Sequence, residues 1–173
     1  GGRVAMRMMD PRHIQLGLVL TAEGQRIRGG CINTGVPHLV VPVKALGRVD
    51  VARLGRTLRF HPMFAPRGTN VNFVQADVPR GDRLHVRTYE RGVEAETLAC
   101  GTGVAASAVI TALERLRASG RRRWWRLHVV PASGELLTVS FGVEPDGTAW
   151  RVREVILDGA ARSVFAGSVT WPK

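Results

Sequence analysis

The chain has 173 residues, 45% of them hydrophobic, and a formal net charge of +11. That length fits one domain, or two closely packed halves, and buries a core; no apolar run approaches the roughly 20 residues that span a bilayer, and neither a signal peptide nor a membrane partner is expected. The charge raises nucleic acid as a partner, but all of the 25 basic residues except Lys44 and Lys173 are Arg, scattered singly through the chain, which is a bias of composition rather than a binding stripe.

The sequence opens on Gly1-Gly2-Arg3 and enters an apolar alternation at once, without an initiator Met, and is expected to be a fragment. Residues 4–9 read as a short strand closed by Asp10-Pro11, and residues 14–20 and 25–28 as a hairpin around Ala22-Glu23-Gly24. Residues 31–33 lead into a turn at 34–38 and a buried strand at 39–43. Val51, Leu54 and Leu58 recur at helical spacing within 50–60, behind Asp50 as N-cap. Strands at 71–76 and 84–90 flank the turn Pro79-Arg80-Gly81-Asp82, and residues 103–119 form the strongest predicted helix, closed by Gly120. Strands at 127–130, 136–143, 149–157 and 163–165 follow, parted by turns at Ser133-Gly134 and Pro145-Asp146-Gly147. The pattern predicts a mixed α/β or α+β domain in which a strand-rich sheet wraps a helix of small residues.

One run concentrates charge: Arg121-Arg122-Arg123-Trp124-Trp125-Arg126. It has the cations and rings that bind single-stranded nucleic acid. The reading preferred here is a helix C-terminus whose guanidiniums face the dipole, running into a strand whose Trp residues pack. Cys31 and Cys100 form no CxxC and have no His at ligand spacing, so no metal site is expected and a reduced compartment is the default.

The chemistry concentrates at Ala99-Cys100-Gly101-Thr102-Gly103, where a thiol meets a helix start. Unpaired amides and the positive end of the helix favour an anion there, which eases ionisation of a thiol and cradles a carboxylate. A small buried cysteine at a crowded strand-to-helix turn is the alternative, and the five residues alone leave both open. Further polar sites shift the balance: Glu90 and Arg91 in Tyr89-Glu90-Arg91-Gly92, His38 after a tight turn, and Asn70 beside Gly68-Thr69. Several loop-borne polar groups in one small domain point to a site.

GVPH at 35–38, GTNVNF at 68–73, YERG at 89–92 and ETLACGTG at 96–103 resemble, in order and spacing, the C-terminal half of diaminopimelate epimerase. The resemblance covers the whole chain; the family's N-terminal half, with the Cys-Gly-Asn segment that carries the other catalytic thiol, has no counterpart here. It implies an α+β fold, a mixed or antiparallel sheet wrapped around a central helix, over residues 15–173, with 1–14 as a strand and linker left from the absent half. It also implies cofactor-free inversion of LL-diaminopimelate to the meso form, for lysine and peptidoglycan precursors, by a cytoplasmic enzyme that is a homodimer at full length.

Carried onto this sequence, Cys100 is one of two acid/base thiols, and Gly101 and Thr102 hold the substrate carboxylate. Asn70 and Arg91 bind the remote amino-acid end, while Glu90 and His38 contact substrate or tune the thiols. A pyridoxal cofactor is not expected, because neither Lys44 nor Lys173 lies near the motifs. Two positions depart from the family pattern: Val36, where many members have Asn, and Phe165, where a Tyr contributes to the dimer. Cys31 is expected to pack within a strand, and this chain alone is expected not to epimerise. A related racemase with another substrate, a basic binding module and a non-catalytic remnant are the competing readings.

Overall fold

Local sequence sets most elements of the computed structural model, which describes residues 2–77, 82–119, 124–147 and 149–170. β1 (Gly2–Arg7) precedes a hairpin of β2 (Arg12–Ala22) and β3 (Gln25–Asn33). Glu23 (φ 50°) and Gly24 (φ 73°) close the hairpin with a mirror-image turn whose twist matches its strands. β4 (Pro37–Pro42) leads to α1 (Val51–Arg59), where the Asp50 carboxylate accepts from the Arg53 amide at 3.0 Å, the predicted N-cap. β5 (Asn70–Ala76), β6 (Arg83–Glu90) and the short β7 (Ala95–Thr97) come next. α2 (Gly101–Ser119), β8 (Trp124–Val130), β9 (Leu137–Asp146) and β10 (Ala149–Ala161) complete the described elements.

The strands form one sheet in the order β1-β10-β9-β8-β6-β5-β4-β3-β2, with β7 added to β6. β4–β5 and β6–β8 are parallel and the other pairs antiparallel. The sheet wraps α2, which touches β2 to β6 and β8 to β10. Residues 103–110 of α2 are buried on every side, as a helix apolar all round must be. Its small Ala105, Ala106, Ser107 and Ala108 let the surrounding strands approach closely. α1 covers the opposite face. Alternation along the central strands therefore feeds two cores: Val40, Val74, Leu84 and Val86 face α2, whereas Leu39, Val41, Val71, Phe73 and Tyr89 join Val51 and Leu58 of α1. Each such fully buried side chain contributes about 1.5–3 kcal/mol.

The architecture is the predicted α+β sheet around a small-residue helix, with local differences. The strand expected at 163–165 is absent: residues 162–170 join no element, and Val164 and Phe165 are 81% and 85% exposed. Both edges of β10 are taken, by β9 and β1, so the segment beyond it cannot fold back onto β10. α2 begins at Gly101, two residues before the apolar periodicity does. β8 to β10 outrun their apolar stretches because pairing with neighbours extends them. β7, which has no apolar alternation, was not predicted.

Residue 14 lies inside β2, and β1 pairs along its full length with β10. Residues 79–81 of the predicted turn, Gly120 and Arg121 to Arg123 lie outside the described residues. Of the rest of the basic run, Trp125 is buried in β8 and Arg126 donates to the Ser140 hydroxyl at 3.3 Å. Among the described residues no helix is long and apolar enough to cross a membrane.

Candidate active site

On the α2 face of β4, β5 and β6 the side chains are apolar at mid-strand and polar toward one end. His38 extends the Val40 row, Asn72 and Asn70 extend that of Val74, and Thr88 and Glu90 extend that of Val86. The sheet divides at this end: β8 pairs with Arg83 to His85 of β6, and β7 takes over at Thr88 to Glu90. The chain passes from β7 through Cys100 into α2, so the helix N-terminus meets the polar ends of these rows.

Cys100 occupies the N-cap position. The Val104 amide donates to its carbonyl at 2.8 Å, the first helical bond, so the amides of Gly101, Thr102 and Gly103 have no helical acceptor. The Cys100 sulfur lies 3.4 Å from the Thr102 hydroxyl, which lies 3.0 Å from Nε2 of His38. The Thr34 hydroxyl donates to the Thr102 carbonyl at 3.0 Å and ties the turn before β4 to the helix. His38 is not in a turn, as its sequence context suggested. It lies in β4, between Ile32 of β3 and Asn70 of β5, and is 1% exposed. Burial pushes the imidazole down to about 3, opposed by its bond to Asn72 and reinforced by the Arg91 charge, so it is neutral.

Asn70 is likewise a strand residue. Its amide donates to the Pro37 carbonyl at 3.2 Å and its Oδ1 accepts from the Arg91 amide at 2.7 Å, which fixes the turn after β6 against the start of β4. The same turn is anchored from the α1 side: the Tyr89 hydroxyl donates to the Glu94 carbonyl at 2.8 Å, and the Arg59 guanidinium pairs with the Glu94 carboxylate at 2.9 Å. The Gly92 amide, ahead of Arg59, holds the Glu94 carboxyl below its ordinary range. Glu90 is half-buried, and its side chain has no hydrogen bond among the described residues. The half-buried Arg91 and the exposed Arg67 line a cleft of about 380 Å³ with His13, Cys31, Val36 and His38. No carboxylate lines it, and neither Arg has an ion pair among the described residues.

Cys31 packs, as expected, within β3, but on the α1 face of the sheet. Burial pushes its thiol up to about 12. The structure thus joins Cys100, Thr102 and His38 directly, links Asn70 to Arg91, and leaves Cys31 outside the Cys100 cluster, in the wall of the cleft that His38 and Arg91 share. Three participants escaped sequence reading: Thr34, Asn72 and Thr88. Asn72 was part of a quoted motif, but only the strand register places it beside His38. Among the described residues no group of three or more His, Cys, Asp or Glu is placed to hold a metal ion.

The family profile of diaminopimelate epimerase matches residues 30–138, which include every residue of this cluster. The chain belongs to the diaminopimelate epimerase family. A diaminopimelate epimerase of Aquifex aeolicus (strain VF5) is 46% identical over 151 residues, covering 87% of this chain and 49% of its own length. One of Hydrogenobaculum sp. (strain Y04AAS1) is 37% identical, covering 98% of this chain and 60% of itself. The chain therefore spans about half of these curated relatives.

Among solved structures, a hydroxyproline epimerase from Agrobacterium vitis with bound trans-4-hydroxy-L-proline matches with a TM-score of 0.66 at 22% identity, over 91% of this chain and 49% of that one. A Bacillus anthracis phenazine biosynthesis protein of the PhzF family matches with a TM-score of 0.61 at 15% identity, over 91% of this chain and 57% of that one. At such identities the likeness concerns the fold: an epimerase-like α+β domain.

Proposed function

We propose that this chain supplies the Cys100 half of a cofactor-independent epimerase that converts LL-diaminopimelate to the meso form. The observation that carries the reading is a thiol at the N-cap of a buried helix whose first three amides have no helical acceptor. Substrate carboxylate accepts from the amides of Gly101 and Thr102, while Cys100 exchanges the proton of the adjacent α-carbon. Charge that develops on deprotonation spreads into that carboxylate, at the positive end of α2. One such preorganised donor is worth about 10²–10³-fold in rate. The remote amino-acid end extends toward Asn70 and Arg91, whose guanidinium suits a carboxylate.

Inversion needs a proton taken from one face of the carbon and another delivered to the opposite face. Cys31 cannot serve as the second group, because it lies across the sheet from α2 and its thiol is pushed up to about 12. The second thiol belongs to the part of the longer relatives that this chain does not span. The complete enzyme is a cytoplasmic homodimer of lysine and peptidoglycan precursor synthesis, in which the exposed Phe165 stands where the family has a dimer-contact Tyr and keeps the ring without the hydroxyl. A racemase acting on a different amino acid is the second reading, favoured by the apolar Val36 in the cleft.

Incubation with LL-diaminopimelate in deuterium oxide tests this. The chain alone should give no meso product; adding the separately expressed N-terminal half of the Aquifex relative should give meso product carrying α-deuterium, and Cys100→Ser should abolish it. Meso product from the chain alone, surviving Cys100→Ser, overturns the proposal. A complemented enzyme that turns over proline or hydroxyproline instead selects the second reading.

A further inference from the structure

We infer that Asn72 sets the direction of the hydrogen-bond chain that ends on Cys100: it holds His38 as the Nε2–H tautomer, so that the Thr102 hydroxyl accepts from the imidazole and points its own proton at the thiol sulfur. The inference rests on the reading of Cys100 as an acid/base thiol and assigns that site a positioning residue.

Asn72 is fully buried and has three partners. Its Nδ2 lies 3.2 Å from the Leu39 carbonyl and 3.0 Å from Nδ1 of His38, and its Oδ1 lies 3.0 Å from the Thr88 hydroxyl. A carbonyl oxygen only accepts, so the atom facing Leu39 is the amide nitrogen, and its second hydrogen goes to His38. Nδ1 is then an acceptor and the ring proton lies on Nε2. Nε2 is 3.0 Å from the Thr102 hydroxyl, which receives that proton's hydrogen bond and has its own proton left for the sulfur 3.4 Å away. Thr88, as donor to Oδ1, opposes a flip of the amide.

The helix is built around this side chain. A Cβ on Gly103 would lie 2.4 Å from Oδ1 of Asn72, so the first turn of α2 has no side chain where Asn72 enters. The charged and titratable groups around His38 are His13, Cys31, Arg67 and Arg91, which line the same cleft, with Glu90 at the end of β6 and Cys100 before α2; β5 contributes only amides. The imidazole is buried and neutral, so a tautomer, rather than a charge, carries the direction.

The test uses ¹⁵N-labelled chain carrying Cys31→Ser. Long-range ¹⁵N–¹H correlation should show a single Nε2–H tautomer for His38, retained in Thr88→Val. Asn72→Asp, whose carboxylate only accepts, should move the proton of the neutral ring to Nδ1 and leave Nε2 as an acceptor for the Thr102 hydroxyl. Its alkylation profile at Cys100 should shift to higher pH, with about tenfold slower labelling at neutral pH and an unchanged plateau. Thr102→Val should cause a similar shift, and the double variant no more than either single one, because both act through one hydroxyl.

Should Asn72→Asp not fold, Asn72→Ser should give a mixture of tautomers. An Nδ1–H signal in the parent, an unchanged tautomer in the Asn72 variants, or additive shifts in the double variant overturn the inference. If Cys100 is not an acid/base group, the complemented enzyme fails to epimerise while the tautomer and labelling results still stand, which separates the two failures.

Discussion

Cys31 and Cys100 lie on opposite faces of one sheet: Cys31 packs toward α1, and Cys100 caps the helix that the other face encloses. Near neutral pH iodoacetamide should therefore label Cys100 well before Cys31, as read by peptide mass spectrometry. Equal or faster labelling of Cys31 would reverse the assignment of the reactive thiol.

Cys31 also predicts an alkaline weakness. Its thiol is raised from 9.0 to about 12, so the folded state keeps a proton that the unfolded chain has released. The stability this contributes is fully present below pH 9 and is lost as pH rises from 9 toward 12. Urea denaturation at pH 8 and pH 10.5 should show a smaller loss for Cys31→Val than for the parent chain.

His38 acts at the acid end. Its imidazole is lowered from 6.5 to about 3, so between those values the unfolded chain binds a proton that the folded one refuses. The associated stability is complete above pH 6.5 and is lost as pH falls toward 3. Between pH 7 and 5 the parent should lose about 2 kcal/mol more than His38→Gln. Parallel losses in the two proteins would mean that His38 is protonated in the fold.

Gly103→Ala places a methyl group 2.4 Å from the Asn72 amide oxygen, inside a buried polar cluster that has no slack. Destabilisation of about 1–3 kcal/mol by chemical denaturation is expected, despite the better helix propensity of Ala.

Gly55→Ala makes the same point in α1. Helix propensity favours Ala by about 1 kcal/mol. A Cβ there meets Cβ of Tyr89 at 2.5 Å, where the helix lies directly on β6. Overpacking should win, and the variant should melt below the parent; a higher melting temperature would show that α1 can move off the sheet.

Local pattern determined much of this protein. The 3.6-residue spacing of Val51, Leu54 and Leu58 behind Asp50, the Glu23-Gly24 turn and the alternating strands each express short-range rules, and their elements formed where expected. The motif around Cys100 was equally legible, because a thiol beside glycines at a helix start has a chemical meaning without any partner in view. What escaped was settled by partners far along the chain. The segment at 163–165 is apolar enough for a strand but follows a strand whose two edges are both filled, whereas β7 lacks the pattern but has the free end of β6. His38 reads as a turn residue until β3 and β5 enclose it. Its neutrality depends on burial, and its bond to Asn72 on the parallel register of β4 and β5, which brings together residues 34 positions apart. Desolvation and hydrogen-bond direction are properties of the space around a group, and only the tertiary fold creates that space.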